Sequence, residues 1–250
     1  MQTMKKRIKD YWEGEAEIYN SSIERELLSP MAKVWKDIIH NYAPKREGLA
    51  VLDIGTGPGF FPIILSDSGW QVTGIDITEN MIKTAVANAK AHQVEADLRV
   101  MDSHALTFSE NTFDLVICRN LTWTLENPVQ AYQEWHRVLK PGGRLLVFDA
   151  NWNLHYFDEE LHKQYMENDA RVRKLYGRGT HAHANTQEGE EISKNLFMSD
   201  KKRPEWDMNM LLEIGFTKVF SERNIADLIW GEREYDLNKT TPPFMVGAEK

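Results

Sequence analysis

Apolar positions fall along the chain in two rhythms. Up to about residue 45 the spacing is three to four. Ile8, Tyr11, Trp12, Ile18 and Tyr19 come first, then Leu27, Leu28, Met31, Val34, Trp35, Ile38 and Ile39. This spacing predicts helices with one buried face. Pro44 and Gly48 mark a turn. Beyond it, short apolar runs alternate with amphipathic stretches. Residues 50–54, 71–76, 98–101, 113–118 and 144–149 read as strands. Residues 60–65 open a helix. Thr78 stands at the N-cap position before Met81, Ile82, Ala85, Val86 and Ala89. A helix over 129–139 is stopped by Pro141-Gly142-Gly143. Strands separated by helices of this length predict βαβ units and a parallel sheet.

After Asp149 the pattern loosens. Residues 158–176 read as a charged helix. Residues 177–200 are polar with few apolar anchors, which predicts a mobile insertion. A helix over 204–214 and strands over 216–224 and 244–248 close the chain, the last two as an antiparallel hairpin on the sheet edge. The division expected is a helical lid over 1–45 and one α/β domain over 46–250. That domain carries an insertion at about 151–203, between its fifth and sixth strands.

Composition narrows the classes. The 250 residues are 42% hydrophobic, enough for a real core. One cysteine, Cys118, excludes an intrachain disulfide and any site needing several thiolates. A net charge of −8 disfavours a long nucleic-acid footprint. No apolar run approaches the ~20 residues of a membrane span. Residues 1–10 are basic but lack the apolar stretch of a signal peptide, so a cytoplasmic protein is expected.

The chemistry is concentrated in Val51-Leu-Asp-Ile-Gly-Thr-Gly-Pro-Gly-Phe60. Asp53, Gly55, Gly57 and Gly59 are spaced two apart directly after a strand. Glycines there let a ligand approach the backbone, and ligands of open α/β sheets sit beyond the carboxyl ends of strands. A dinucleotide fingerprint is G-x-G-x-x-G. Here the third glycine comes one residue early, which counts against NAD. Asp76 ends the second strand about twenty residues beyond the glycine turn, where a carboxylate can accept both hydroxyls of a ribose.

With these residues the chain resembles the class I S-adenosylmethionine-dependent methyltransferases of the ubiquinone/menaquinone-biosynthesis type, the methyltransferase type 11 group. The resemblance covers about 51–149. Besides the glycine turn it includes Gly74-Ile-Asp76, Asp102-Ser103-His104, the run from Phe113 to Asn120, and Trp135 to Gly143. It implies a Rossmann-like sheet, mostly parallel with an antiparallel last strand, and a turn that holds the methionine half of S-adenosyl-L-methionine. Cofactor contacts are implied at Asp53, Gly55, Gly57, Gly59, Asp76, Ile77 and Met81. Asp102 is implied at the adenine amine, with Ser103 and His104 beside it, and Asn120 near the methionine moiety. For Arg119 a rim salt bridge competes with a site role.

Methyl transfer leaves the hard chemistry to the cofactor. The protein aligns the nucleophile, excludes water and, where needed, removes a proton. The expected substrate pocket draws on Tyr11, Trp12 and Tyr19, on Trp123, and on Asn151 and Trp152, with His155 or Tyr156 as catalytic candidates. Its aromatic wall would suit a flat or cationic small molecule. His181-Ala-His183 and His162 read as solvated rather than metal-binding, and no metal is expected. The runs 188–191 and 201–203 read as solvated faces. The rivals are a nucleic-acid or protein methyltransferase, an NAD-linked oxidoreductase, and a non-catalytic cofactor-binding protein. Amino-N-methylating DNA enzymes carry Asn/Asp-Pro-Pro-aromatic after the fourth strand, where this chain has Arg119-Asn-Leu-Thr-Trp123.

Overall fold

In the computed structural model, residues 2–177 and 186–250 are described. His181 and His183 lie outside them.

Two helices open the chain, α1 (Met4–Leu27) and α2 (Met31–Tyr42). The Thr3 hydroxyl caps α1 by accepting from the Lys6 amide at 3.3 Å. The α/β succession follows as β1 (Ala50–Ile54), α3 (Phe60–Ile64), β2 (Gln71–Asp76), α4 (Glu79–Ala91), β3 (Asp97–Val100) and β4 (Phe113–Arg119). Then come α5 (Pro128–Val138), β5 (Leu139–Asp149), α6 (Glu159–Tyr176), α7 (Thr186–Asn195) and α8 (Glu205–Ile214). The chain ends with β6 (Lys218–Glu222), α9 (Ile225–Ile229), α10 (Glu232–Asn238) and β7 (Phe244–Glu249).

The seven strands form one sheet in the order β3-β2-β1-β4-β5-β7-β6. All pairs from β3 across to β5 are parallel, and β7 runs antiparallel to both its neighbours. The central strands β1 and β4 are mostly apolar because helices cover both faces. Side chains alternate between them. Leu52, Ile54, Val116 and Val147 join Trp135 and Leu211 on one face. Val51, Leu115, Ile117 and Phe148 join Trp35 and Ile39 on the other.

Three expectations change. Pro141-Gly142-Gly143 does not stop a helix. α5 ends at Val138, and β5 starts at once and loops out over these residues. The register shows it: Phe113 pairs with Leu139, but Leu115 pairs with Arg144. Gly142, at φ +71, takes the left-handed backbone that the loop-out needs. The last two strands pair but form no hairpin, since α9 and α10 lie between them and β7 slots inside β6. The 177–200 stretch contains a regular helix, α7. Glu188 and Glu191 of α7 pair with Arg7 of α1, and Glu190 and Glu191 remain exposed, in keeping with the reading of 188–191 as a solvated face.

Candidate active site

The glycine turn leaves β1 and folds back over the ends of β2 and β4. Gly55 and Gly57 have φ of +69 and +51, and both face a cleft. A Cβ on Gly55 would stand 2.8 Å from the Leu121 side chain. Gly59 does different work. At φ +88 it begins α3, and a Cβ there would meet Ala85 of α4 at 3.1 Å. It packs the turn against a helix and does not line the cleft.

Asp76 ties this turn together. One carboxylate oxygen accepts from the Gly57 amide at 3.1 Å. The other accepts from the Thr78 amide at 2.9 Å and its hydroxyl at 2.7 Å. Burial pushes the Asp76 carboxyl up, while these bonds oppose the shift. Thr78 therefore spends its hydroxyl on Asp76 rather than on capping α4. The cap comes from α1, whose Glu13 carboxylate accepts from the Glu79 and Asn80 amides at 2.8 and 2.9 Å. Beneath the turn lies Asp53, buried, with no hydrogen-bond partner on either oxygen. Burial pushes its carboxyl up to about 7, against smaller pulls from Thr56 and the Arg119 charge. The Thr56 hydroxyl is close enough to act on Asp53 but is itself without a bond of normal geometry.

The cleft has a volume of about 1050 Å³. Ile77, Met81, Asn120 and Leu121 line its inner end beside Gly55, Gly57 and Asp76. Asn120 has φ +54, an uncommon backbone for a residue other than glycine. Its amide donates to the Phe148 carbonyl at 2.8 Å, and its carbonyl accepts from the Trp123 indole at 3.0 Å. Arg119 makes two bonds to Glu26 of α1, at 2.7 and 3.0 Å, and stacks over Phe60. A smaller pocket of about 60 Å³ adjoins the cleft at Asp102, Ser103 and His104. Asp102 accepts from the His104 amide at 3.0 Å, meets the His104 ring at 2.9 Å, and is paired with Lys5 of α1. Burial opposes ionisation there, but the His104 and Lys5 bonds prevail and hold Asp102 below the usual carboxylate range. The Ser103 carbonyl accepts from the Trp135 indole at 3.1 Å.

At the outer end Tyr11, Trp12, Trp123 and Trp152 face the cleft, while Tyr19 lines it beside the glycine turn, its ring 3.5 Å from where a Cβ on Gly57 would stand. Trp12 is their hub, edge-on to Tyr11, Tyr19 and Trp123 at 5.5, 5.8 and 6.3 Å between ring centres. His155 and Tyr156 lie on the short turn Leu154–Tyr156 and also line it. His155 is 6% exposed, stacked on Tyr165 at 4.0 Å, and its Nδ1 meets no partner at hydrogen-bonding geometry. Burial lowers it to about 4, only partly offset by the nearby Trp152 backbone, so the imidazole is neutral at pH 7. Burial raises Tyr156 to about 12. His162 is exposed at the cleft mouth. Among the described residues no group of three or more His, Cys, Asp or Glu could hold a metal.

Sequence reasoning missed four contributors: Lys5, Glu13, Asp149 and Arg203. Arg203, read as part of a solvated run, is 3% exposed. Its i, i+4 spacing to Asp207 was the one available signal.

This sheet order, with a glycine turn after β1 and a carboxylate ending β2, is the Rossmann-like fold of the class I methyltransferases. The residues fit S-adenosylmethionine: the backbone at Gly57 faces the cleft with no atom nearer than 3.5 Å to where a Cβ would stand, and the orphaned Asp53 carboxyl calls for a donor such as an ammonium or a bridging water. The comparisons agree. Residues 52–147 match the family described as a methyltransferase domain. The chain is 30% identical over 139 residues to a ubiquinone biosynthesis O-methyltransferase of Coxiella burnetii, covering 55% of this chain and 57% of that protein. It is 33% identical over 121 residues to a ubiquinone/menaquinone biosynthesis C-methyltransferase UbiE of a Ruegeria species, covering 47% and 48%. The chain thus spans about half the length of the curated relatives it matches. A SAM-dependent methyltransferase structure from Methanosarcina mazei shares the fold, with TM-score 0.57 and 21% identity over 85% of this chain and 96% of that one. Among the described residues no helix is long and apolar enough to cross a membrane.

Proposed function

We propose that this protein is an S-adenosylmethionine-dependent methyltransferase acting on a small molecule, flat or cationic, in the cytoplasm. One observation carries the reading. The glycine turn and the aromatic chamber are two ends of a single cleft of about 1050 Å³. That is near the upper end for a small-molecule site, room for a cofactor and a modest acceptor together. A polymer would need an open basic groove, and the chain carries a net charge of −8.

Bound, the sulfonium supplies an electrophilic methyl group. Asp76 would hold the ribose hydroxyls, with Ile77 and Met81 against the adenosine. Asp102 would take the adenine amine while keeping its Lys5 contact. Asp53 and Asn120 would hold the methionine end. Residues 1–45 act as a lid. Its supports are the Glu13 cap on α4, the Lys5 pair with Asp102 and the Arg7 pairs with α7. The aromatic side chains from Tyr11 to Trp152 exclude water and present π-faces to a sulfonium or a flat acceptor. His155, neutral at pH 7, offers the acceptor a hydrogen bond and is a weak base at best. Tyr156 stays protonated and can donate.

Calorimetry with S-adenosylmethionine, S-adenosylhomocysteine and NAD tests the reading. The expected outcome is binding of the first two at roughly micromolar Kd. Binding of NAD alone would overturn it. A panel of phenols, amines and thiols with radiolabelled cofactor then identifies the acceptor class.

A further inference from the structure

At the end of β5, on the acceptor side of the cleft, lies a buried polar cluster that no cofactor role explains. The Asp149 carboxylate accepts five bonds. One oxygen takes the Ala150 amide at 2.9 Å and the Trp152 indole N–H at 2.8 Å. The other takes the Thr122 hydroxyl, the Trp123 amide at 3.0 Å and an Arg203 N–H at 3.0 Å. Arg203 also donates to both oxygens of Asp207, at 2.8 and 2.9 Å, and to the Thr122 hydroxyl at 2.5 Å. Tyr132 closes the cluster with a bond to Asp207 at 2.5 Å. The side chains of Asp149 and Asp207 are fully buried, and that of Arg203 is buried to within one per cent. Desolvating this ion pair is costly, so its retention asks for a use beyond stability.

Its geography supplies one. Asp149 is the last residue of the fifth strand, and Arg203 is the last of the insertion. Both feet of that insertion meet at one carboxylate. Asn151 doubles the joint: its amide donates to the Arg203 carbonyl at 2.8 Å, and its oxygen accepts the Arg203 amide at 3.1 Å. Between the feet the chain carries His155, Tyr156, Tyr165 and Ile192 into the cleft. The same carboxylate grips Trp152 by its indole and Trp123 by its backbone, and both rings face the cleft.

We propose that Asp149, locked by Arg203, is the positioning residue of the acceptor chamber: it sets Trp123 and Trp152 and fixes both feet of the 151–203 insertion to the sheet. The inference rests on the methyltransferase reading for what the chamber holds, but not for the hold itself. Asp149 touches no acceptor and exchanges no proton. It registers the outer wall of the cleft against the inner one.

The test uses the full chain with Asp149→Asn and, as the milder variant, Arg203→Lys. Both are expected to bind S-adenosylhomocysteine within about three-fold of wild type. Without ligand, amide exchange over 150–157 and 199–206 should speed up ten-fold or more, while 50–60 keeps its protection. The Trp152 indole N–H resonance, assigned through Trp152→Phe, should move upfield in both variants as its charged acceptor is lost or displaced. An unmoved resonance with unchanged exchange overturns the proposal. So does a thirty-fold or greater loss of S-adenosylhomocysteine affinity, which would make Asp149 a determinant of the cofactor end. If Asp149→Asn does not fold, Arg203→Lys decides. If neither folds, the pair serves the fold and the proposal falls. Failure of the wild type to bind S-adenosylhomocysteine would sink the functional reading alone, since exchange and resonance are read without it.

Discussion

The two ends of the cleft are made of different material. The inner end, proposed to hold the cofactor, is mostly main chain: a turn with two cleft-facing glycines, strand ends, and Asp76 bonded to backbone amides two and nineteen residues away. The outer end, proposed to hold the acceptor, is almost all side chain, drawn from α1, the turn after β4, and the insertion. Main-chain geometry tolerates few substitutions, because the backbone shape is the site. A wall of side chains can be replaced ring by ring. One chain thus carries a conservative half and a permissive half, joined along the carboxyl ends of β4 and β5.

Substitutions at the two ends should separate accordingly. The largest effect is expected for Gly57→Val. A branched residue at φ +51 is strained, and its methyls fill the space between the turn and Tyr19. S-adenosylhomocysteine affinity should fall by about a hundred-fold or more in calorimetry, at roughly 2–3 kcal/mol for strain and lost contacts together. An affinity within ten-fold of wild type would show that the turn does not hold the ligand. Asp76→Ala comes next, losing charged hydrogen bonds worth about 1.5–3 kcal/mol each. It should weaken the same ligand by ten-fold or more, and unchanged affinity would remove Asp76 from the site.

Asp53 gives an intermediate effect of opposite signs. Its folded pKa, about 7, lies above its ordinary 3.8. Between those values the folded chain binds the extra proton, so its contribution to the free protein's stability declines as pH rises from about 4 to about 7. Above pH 7 a bare buried carboxylate remains. Asp53→Asn should therefore raise Tm of the free protein at pH 8, yet weaken S-adenosylmethionine, which loses its anionic partner. Wild-type binding should likewise weaken as pH falls below about 7. A Tm gain without loss of affinity would confine Asp53 to the fold. Trp152→Ala should leave S-adenosylhomocysteine affinity within about three-fold, an effect of roughly 0.6 kcal/mol, while turnover of the acceptor drops. Equal losses at both would erase the division between the ends. Lys5→Ala is the smallest. Its part-exposed pair with Asp102 contributes about 0–1 kcal/mol, so cofactor dissociation in stopped flow should quicken only a few-fold, and less at high salt.

The division also explains what was legible in the sequence. β1 and β4 read correctly because strands covered on both faces are mostly apolar runs. The turn read correctly because glycines two apart have few other uses. β5 was misplaced at its start because a loop-out inside a strand looks like a helix stop. Cleft-facing aromatics could be named from their position after strand ends, since topology brings those ends together. The Asp149–Arg203 pair could not be, because its members are far apart in sequence and each alone looks like surface. The Glu13 cap was hidden likewise: Thr78 stood at the expected position, but Asp76 had claimed its hydroxyl.

That borrowed cap turns α1 into a ruler. Lys5 reaches the end of β3 at Asp102, and Glu13 reaches the start of α4. Eight residues of helix, about 12 Å, measure the gap between these two landmarks. A helix has discrete graduations. One residue inserted between the marks would add about 1.5 Å and turn one of them by about 100°. The helix then has a single setting, and its length between those marks is as much a part of the cleft as the side chains that line it.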